Sequence, residues 1–112
     1  MVSLPGCSHC EMVRRSHLLP LLADAGGGKS PLIRQVELNG AERLKDFTGK
    51  TMTHAEFSSR FKIKLAPVVM FFGAEGEMVS EPLVGSMIAD FYGAYFDAAL
   101  GEARAKVLAT RL

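Results

Sequence analysis

The two cysteines of the 112-residue chain stand two residues apart in Pro5-Gly6-Cys7-Ser8-His9-Cys10, and the run Glu11-Met12-Val13-Arg14-Arg15 that follows reads as helix. Thiols placed this way can trade disulfides. At the start of a helix, unpaired backbone N–H groups and the positive end of the macrodipole favour thiolate over thiol at the first cysteine. The second cysteine lies one turn further on, within reach of a mixed disulfide made by the first. On this spacing Cys7 is expected to be the exposed nucleophile and Cys10 the shielded resolving thiol. Two other chemistries stay open. A structural disulfide across so short a loop removes little chain entropy and stabilises weakly. A zinc site needs two more ligands, and His9, His17 and His54 offer none at zinc-finger spacing. The pair therefore has to be judged by the elements around it.

Those elements fit into one domain, residues 1–112, long enough to bury a core without metal or multiple disulfides. Apolar residues make up 48% and charged residues 22%, the balance of an ordinary globular protein. A formal charge of +1 with no basic tract argues against nucleic acid as a partner. No apolar run approaches the ~20 residues that span a bilayer. Met1-Val2-Ser3-Leu4-Pro5 has neither the basic start nor the apolar stretch of a signal peptide. A redox pair normally follows a buried central strand, and only Met1-Val2-Ser3-Leu4 is available for one. That strand is expected to be shortened, or the chain to be a fragment whose upstream part has been removed.

From Ser8 to about Ala23 the sequence predicts a helix, with Val13, His17, Leu18, Leu21 and Leu22 as its apolar stripe. Pro20 falls inside that run and is expected to kink or split it. Gly26-Gly27-Gly28 ends the helix and, with Lys29-Ser30-Pro31, makes the loosest linker. The Walker spacing is absent, which excludes a phosphate loop. Leu32-Ile33-Arg34-Gln35-Val36-Glu37-Leu38 reads as a strand with Val36 and Leu38 on one face. Residues 41–47 suggest a short helical turn, and Thr48-Gly49-Lys50 a turn able to join a small hairpin. Thr53-His54-Ala55-Glu56 is a capping box opening a helix to about Phe61, with Phe57 and Phe61 as its buried pair and His54 a solvated surface residue. Val68-Val69-Met70-Phe71-Phe72 reads as a strand buried on both faces, led by Pro67. A hairpin turn at Gly73-Ala74-Glu75-Gly76-Glu77 leads to a returning strand, Met78-Val79-Ser80-Glu81, interrupted by Pro82 and closed by Val84-Gly85-Ser86. A last helix runs from about Ile88 to Leu108, with the stripe Ile88, Phe91, Tyr92, Tyr95, Ala99, Ala103 and Val107, more in keeping with core than with a cofactor box.

Taken in order, with Cys7-Ser8-His9-Cys10 and Ala66-Pro67, these elements resemble the thioredoxin fold, and within it the small thioredoxin-like proteins of the bacterial periplasm. Further pieces of the likeness are Asp46-Phe47-Thr48-Gly49-Lys50-Thr51-Met52-Thr53 and Pro82-Leu83-Val84-Gly85. The resemblance implies an α/β fold: a central mixed β-sheet flanked by helices, with a shortened N-terminal strand. It implies catalysis by Cys7 and Cys10, and a cis-proline at Pro67 facing the pair. The backbone of Ala66, with Pro5 and Gly6, would then receive a substrate peptide as an added strand. His9 matches the second variable position of strongly oxidising disulfide donors, where a cationic neighbour stabilises the thiolate and makes the disulfide more oxidising.

The sequence also departs from thioredoxin proper. Met1 stands where a buried acid is usual, Gly6 stands where a tryptophan is usual, and the chain has no Trp. Both departures argue against efficient thioredoxin-type reductase activity, and with it against a role as a substrate of thioredoxin reductase. The resulting expectation is a thiol–disulfide oxidoreductase acting on protein thiols and disulfides with an unidentified redox partner protein. It needs no cofactor and no metal, and it is periplasmic or secreted, with a cytoplasmic location as the alternative. A non-catalytic thioredoxin-fold binding module and a Cys/His metal-binding protein are the rival readings. A glutathione-dependent enzyme finds no recognisable glutathione-binding set.

Overall fold

A computed structural model describes residues 1–23, 32–85 and 89–110. The expected linker at 26–31, Ile88, and the Leu22 and Phe91 side chains lie outside the described residues. The chain runs β1 (Val2–Ser3), α1 (Ser8–Val13), a π-helical segment (Arg14–Leu18) and α2 (Leu19–Ala23). It continues through β2 (Val36–Glu37), β3 (Arg43–Lys45), β4 (Thr51–Thr53) and α3 (His54–Arg60), and ends with β5 (Val68–Val69), β6 (Leu83–Val84) and α4 (Ala89–Thr110).

Four short strands form one mixed sheet in the order β2-β1-β5-β6. β1 pairs parallel with β2, and β5 runs antiparallel to both β1 and β6. Adjacent residues of a strand face opposite ways, and the two valines of β5 show what each side of the sheet carries. Val68 packs with Val2, Val36, Leu38, Met52 and the α3 residue Phe57. Val69 packs with Val13, Leu18 and the α4 residues Tyr92, Phe96 and Leu100. Helices thus cover both faces, α3 on one and α1 with α4 on the other. Val2 and Val13 are 1% and 0% exposed, so β1 and α1 each place a fully buried valine in one of the two core clusters. Burying each such side chain is worth about 1.5–3 kcal/mol.

Several expectations are corrected by this packing. The helix after the cysteines is divided next to Pro20 by a π-helical segment and not by a gap in the helix, with Leu19 N–H donating to the Arg14 carbonyl. A wider turn accommodates a residue that lacks an N–H and crowds the preceding turn. Of the strand expected over 32–38, only Val36–Glu37 is strand, although Val36 and Leu38 do share a buried face. The helical turn expected at 41–47 is instead the first arm of a hairpin, with Leu44 opposite Met52. Asp46 closes that hairpin: its Oδ1 accepts from Thr48 N–H at 2.9 Å, Thr48 Oγ1 at 2.7 Å and Lys50 N–H at 2.9 Å.

The strand expected over 68–72 is regular and buried only at Val68–Val69; Met70, Phe71 and Phe72 are half-buried. The return is a single bridge between Phe72 and Met78, and regular pairing resumes at Leu83–Val84. Pro82 lies between them and has no N–H for the ladder. In α4 the buried residues are Tyr92, Phe96, Ala99, Leu100 and Ala103, while Tyr95 is 59% exposed. The surface it meets decides this phase: the Phe96 ring lies 5.3 Å from His17 and 6.0 Å from Phe71. Gly93 keeps α4 close, since a Cβ there would stand 3.3 Å from His17 Cε1. His54 is not a solvated residue either. It is half-buried, and its Nδ1 accepts the Glu37 N–H at 3.1 Å, closing an outer-edge donor of β2.

The capping box is present as expected. Thr53 Oγ1 accepts from Glu56 N–H at 3.1 Å, and Glu56 Oε1 accepts from Thr53 N–H at 3.2 Å. The rings of Phe57 and Phe61 lie 5.0 Å apart.

Candidate functional site

Between β1 and α1 the chain must reverse within a few residues, and Pro5-Gly6 does this. Cys7 N–H donates to the Leu4 carbonyl at 3.3 Å, with Gly6 at φ +72°. That is a type II turn, with proline pre-set at its second position and glycine supplying the positive φ at its third. Here lies the physical reason for Gly6 directly before the first cysteine.

The turn leaves Cys7 as the N-cap of α1, extended at φ −86° and ψ 105°. Its Sγ accepts the Cys10 N–H at 3.1 Å. The sulfur thus fills the place that a serine or aspartate oxygen takes in an ordinary cap. Cys7 and Cys10 are joined as a disulfide with Cα atoms 5.2 Å apart. Cys10 is 1% exposed, whereas Cys7 is half-buried. Cys7 is thus the more accessible of the two, though less open than the exposed first cysteine expected from the sequence.

Polar side chains tie α1 to the sheet. Glu11 pairs with Arg14 and, at 3.8 Å, with Arg15. Arg14 donates from Nε and Nη2 to Gln35 Oε1 at 3.0 and 2.8 Å. Gln35 Nε2 in turn donates to Glu37 Oε1 at 3.1 Å, and Ser3 Oγ reaches the same oxygen at 3.4 Å. Arg14, Gln35, Glu37 and Ser3 thus link the start of the π-helical segment to β2 and β1, while Val13 packs with Val69 of β5. On the α4 side, burial pushes the Tyr92 hydroxyl up to about 12, and its oxygen has no hydrogen-bond partner among the described residues.

The other expected site residues fall at the same end of the sheet. Val2 is opposite Val68 in an antiparallel register, so the chain leaving β1 toward Cys7 runs beside the chain arriving at β5 through Ala66-Pro67. The Ala66–Pro67 peptide is cis, Pro67 is buried and Ala66 half-buried. Pro5, Gly6 and His9 are exposed. Among the described residues no three of His, Cys, Asp and Glu come together to hold a metal, and no helix is long and apolar enough to cross a membrane.

Compared with family models, with curated proteins and with solved structures, the chain finds no match.

α3 ends in a Schellman motif, Ile63 N–H donating to the Ser58 carbonyl and Lys62 N–H to that of Ser59, both at 3.0 Å. The left-handed position of this motif holds Lys62 at φ +58°. Glycine usually stands there, and a residue with a Cβ costs about 1–2 kcal/mol. The absence of glycine after Phe61 hid the motif.

Proposed function

We propose that the protein is a thiol–disulfide oxidoreductase of the thioredoxin-like type, exchanging disulfides with protein substrates through Cys7 and Cys10. The observation that carries this reading is the cap: Cys7 Sγ accepts the Cys10 N–H at the head of a helix, while its disulfide partner is 1% exposed. A hydrogen bond to the sulfur and the helix dipole both favour the thiolate. The order β2-β1-β5-β6 with helices on both faces, and a cis-proline arriving beside the turn that bears Cys7, support the thioredoxin-like assignment.

In the reduced protein, the Cys7 thiolate attacks one sulfur of a substrate disulfide. The substrate S–S bond breaks, a Cys7–substrate bond forms, and the other substrate sulfur leaves as a thiol. Cys10 then gives up its proton, attacks Cys7 Sγ and releases the second substrate thiol. Two electrons have passed to the substrate, and Cys7–Cys10 is oxidised. Run in reverse, the same steps oxidise a substrate dithiol. Partial exposure of Cys7 and burial of Cys10 separate the two roles. Ala66 offers its backbone to the substrate chain beside Pro67. A compartment that sustains disulfides, such as the bacterial periplasm, suits this chemistry.

Trapping tests the division of labour. Cys10→Ser should accumulate protein mixed disulfides through Cys7, resolved by dithiothreitol, whereas Cys7→Ser accumulates none. Equal trapping by the two variants contradicts the assignment.

A further inference from the structure

The segment that follows α3, residues 61–65, forms an open groove of about 290 Å³ with residues of β5 and β6. Its lining is apolar, with Ile63, Leu65, Val68, Met70 and Val84 among the residues, and its charged members are Lys62 and Lys64, with no carboxylate. Leu65 and Val84 are 47% and 58% exposed. The groove therefore joins uncovered apolar surface to two like charges, a combination complementary to a chain bearing an apolar residue next to an acidic one.

A further observation gives the groove a direction. Leu65 directly precedes Ala66-Pro67, the backbone where the substrate is placed above. A strand added along Ala66 advances ~3.3 Å per residue, so about one or two residues carry it onto Leu65 and Lys64. Lys62, at the left-handed end of the α3 cap, lines the same groove.

We propose that this groove binds the segment of the substrate polypeptide flanking its reacting cysteine, and selects an apolar residue followed by an acidic one. The inference rests on the reading of Cys7 and Cys10 as an exchange centre. The apolar side chain fills the space between Ile63, Leu65 and Val84, and the carboxylate meets Lys62 and Lys64. Specificity then resides beside the reacting sulfurs and leaves the exchange step itself unchanged.

Peptides carrying one cysteine as its mixed disulfide with thionitrobenzoate test this. Each has Leu-Asp, Leu-Lys or Ser-Asp on both sides of that cysteine; the pre-reduced protein supplies the two electrons in single turnovers followed from release of the thionitrobenzoate thiolate, with KM and kcat read as the half-saturating concentration and limiting rate. The expected result is a KM for the Leu-Asp peptide roughly threefold to tenfold below that for Leu-Lys, with kcat unchanged. The Ser-Asp peptide should lose roughly tenfold or more through the missing apolar contact. In the Lys62→Gly, Lys64→Glu variant the Leu-Asp preference should vanish, while reduction of dithiodipyridine, which has neither peptide nor carboxylate, stays at the wild-type rate. Lys62→Gly relieves the left-handed backbone, so a melting temperature at or above wild type separates lost recognition from lost folding. Equal KM values across the peptides, or a preference that survives in the variant, overturns the proposal. Self-association that Val84→Asp abolishes would assign the groove to a second copy and also overturns it. A protein inert even to dithiodipyridine refutes the exchange reading itself, whereas a reactive but indifferent one refutes only the groove.

Discussion

Replacing Gly6 by alanine tests how Cys7 is held at the head of α1. Gly6 sits at φ +72°, and a Cβ built there meets nothing within 4 Å. The cost of Gly6→Ala is therefore one of backbone alone. A left-handed conformation costs an L-residue about 1–2 kcal/mol. The stiffer unfolded chain offsets roughly 0.4–1 kcal/mol of this. The net loss is about 1 kcal/mol, or a melting temperature lower by roughly 4–8 °C for a domain near this size. Gly49 supplies the control: it lies at φ +85° in the β3–β4 hairpin, also with nothing within 4 Å. Gly49→Ala should cost a similar amount of stability and leave Cys7 untouched. Gly6→Ala should in addition slow alkylation of reduced Cys7, because the strained turn relaxes by moving Sγ off the Cys10 N–H. Thermal melts and iodoacetamide kinetics on the two variants read both effects. A neutral or stabilising Gly6→Ala, or the same thiol kinetics in both variants, refutes the reasoning.

Gly76→Ala should be costlier, at about 2–4 kcal/mol by urea denaturation, because φ is +87° and the new Cβ would stand 2.6 Å from Phe47 Cδ2. Introduced into Phe47→Ala, the same change should lose the overpacking share and keep only the backbone cost, and an unchanged cost refutes the contact. Asp46 is held below its ordinary range, first by the Thr48 hydroxyl and then by Arg60 and the Lys50 and Thr48 amides. Because the folded carboxyl titrates below the unfolded one, its contribution is present above about pH 4 and fades as the pH falls further. Asp46→Asn should lower stability at neutral pH and flatten the acid limb of a stability–pH curve; an acid limb identical to wild type contradicts this. His9→Ala should make the Cys7–Cys10 reduction potential more negative in glutathione equilibration, since a cation beside Cys7 favours the reduced form; an unchanged potential removes His9 from the site.

What the sequence made legible was the chemistry that short spacing dictates. Cys7 and Cys10 one turn apart and the Thr53–Glu56 box each specify a local geometry, and each geometry is present; the cis peptide at Ala66-Pro67 was expected only from the resemblance to the thioredoxin fold. Failures came where long-range packing outweighs local preference. Tyr95 and Phe96 are equally good candidates for the core face of α4, and only the rings of His17 and Phe71 choose Phe96. His54 reads as a surface residue until β2 brings the Glu37 N–H to its Nδ1. Residues 43–45 carry no strong strand signal, and Asp46 folds them into a hairpin by gathering donors from Thr48 and Lys50. Lys62 was invisible as a helix terminus because glycine, the residue that normally announces one, is absent.

The central claim is that Cys7, capping α1, is an activated thiolate. The rate of alkylation of the reduced protein against pH, with Cys10→Ser to isolate Cys7, measures this directly. The account predicts a midpoint clearly below the ~8.5 of a free thiol. A Cys7 that titrates at or above that value would contradict it.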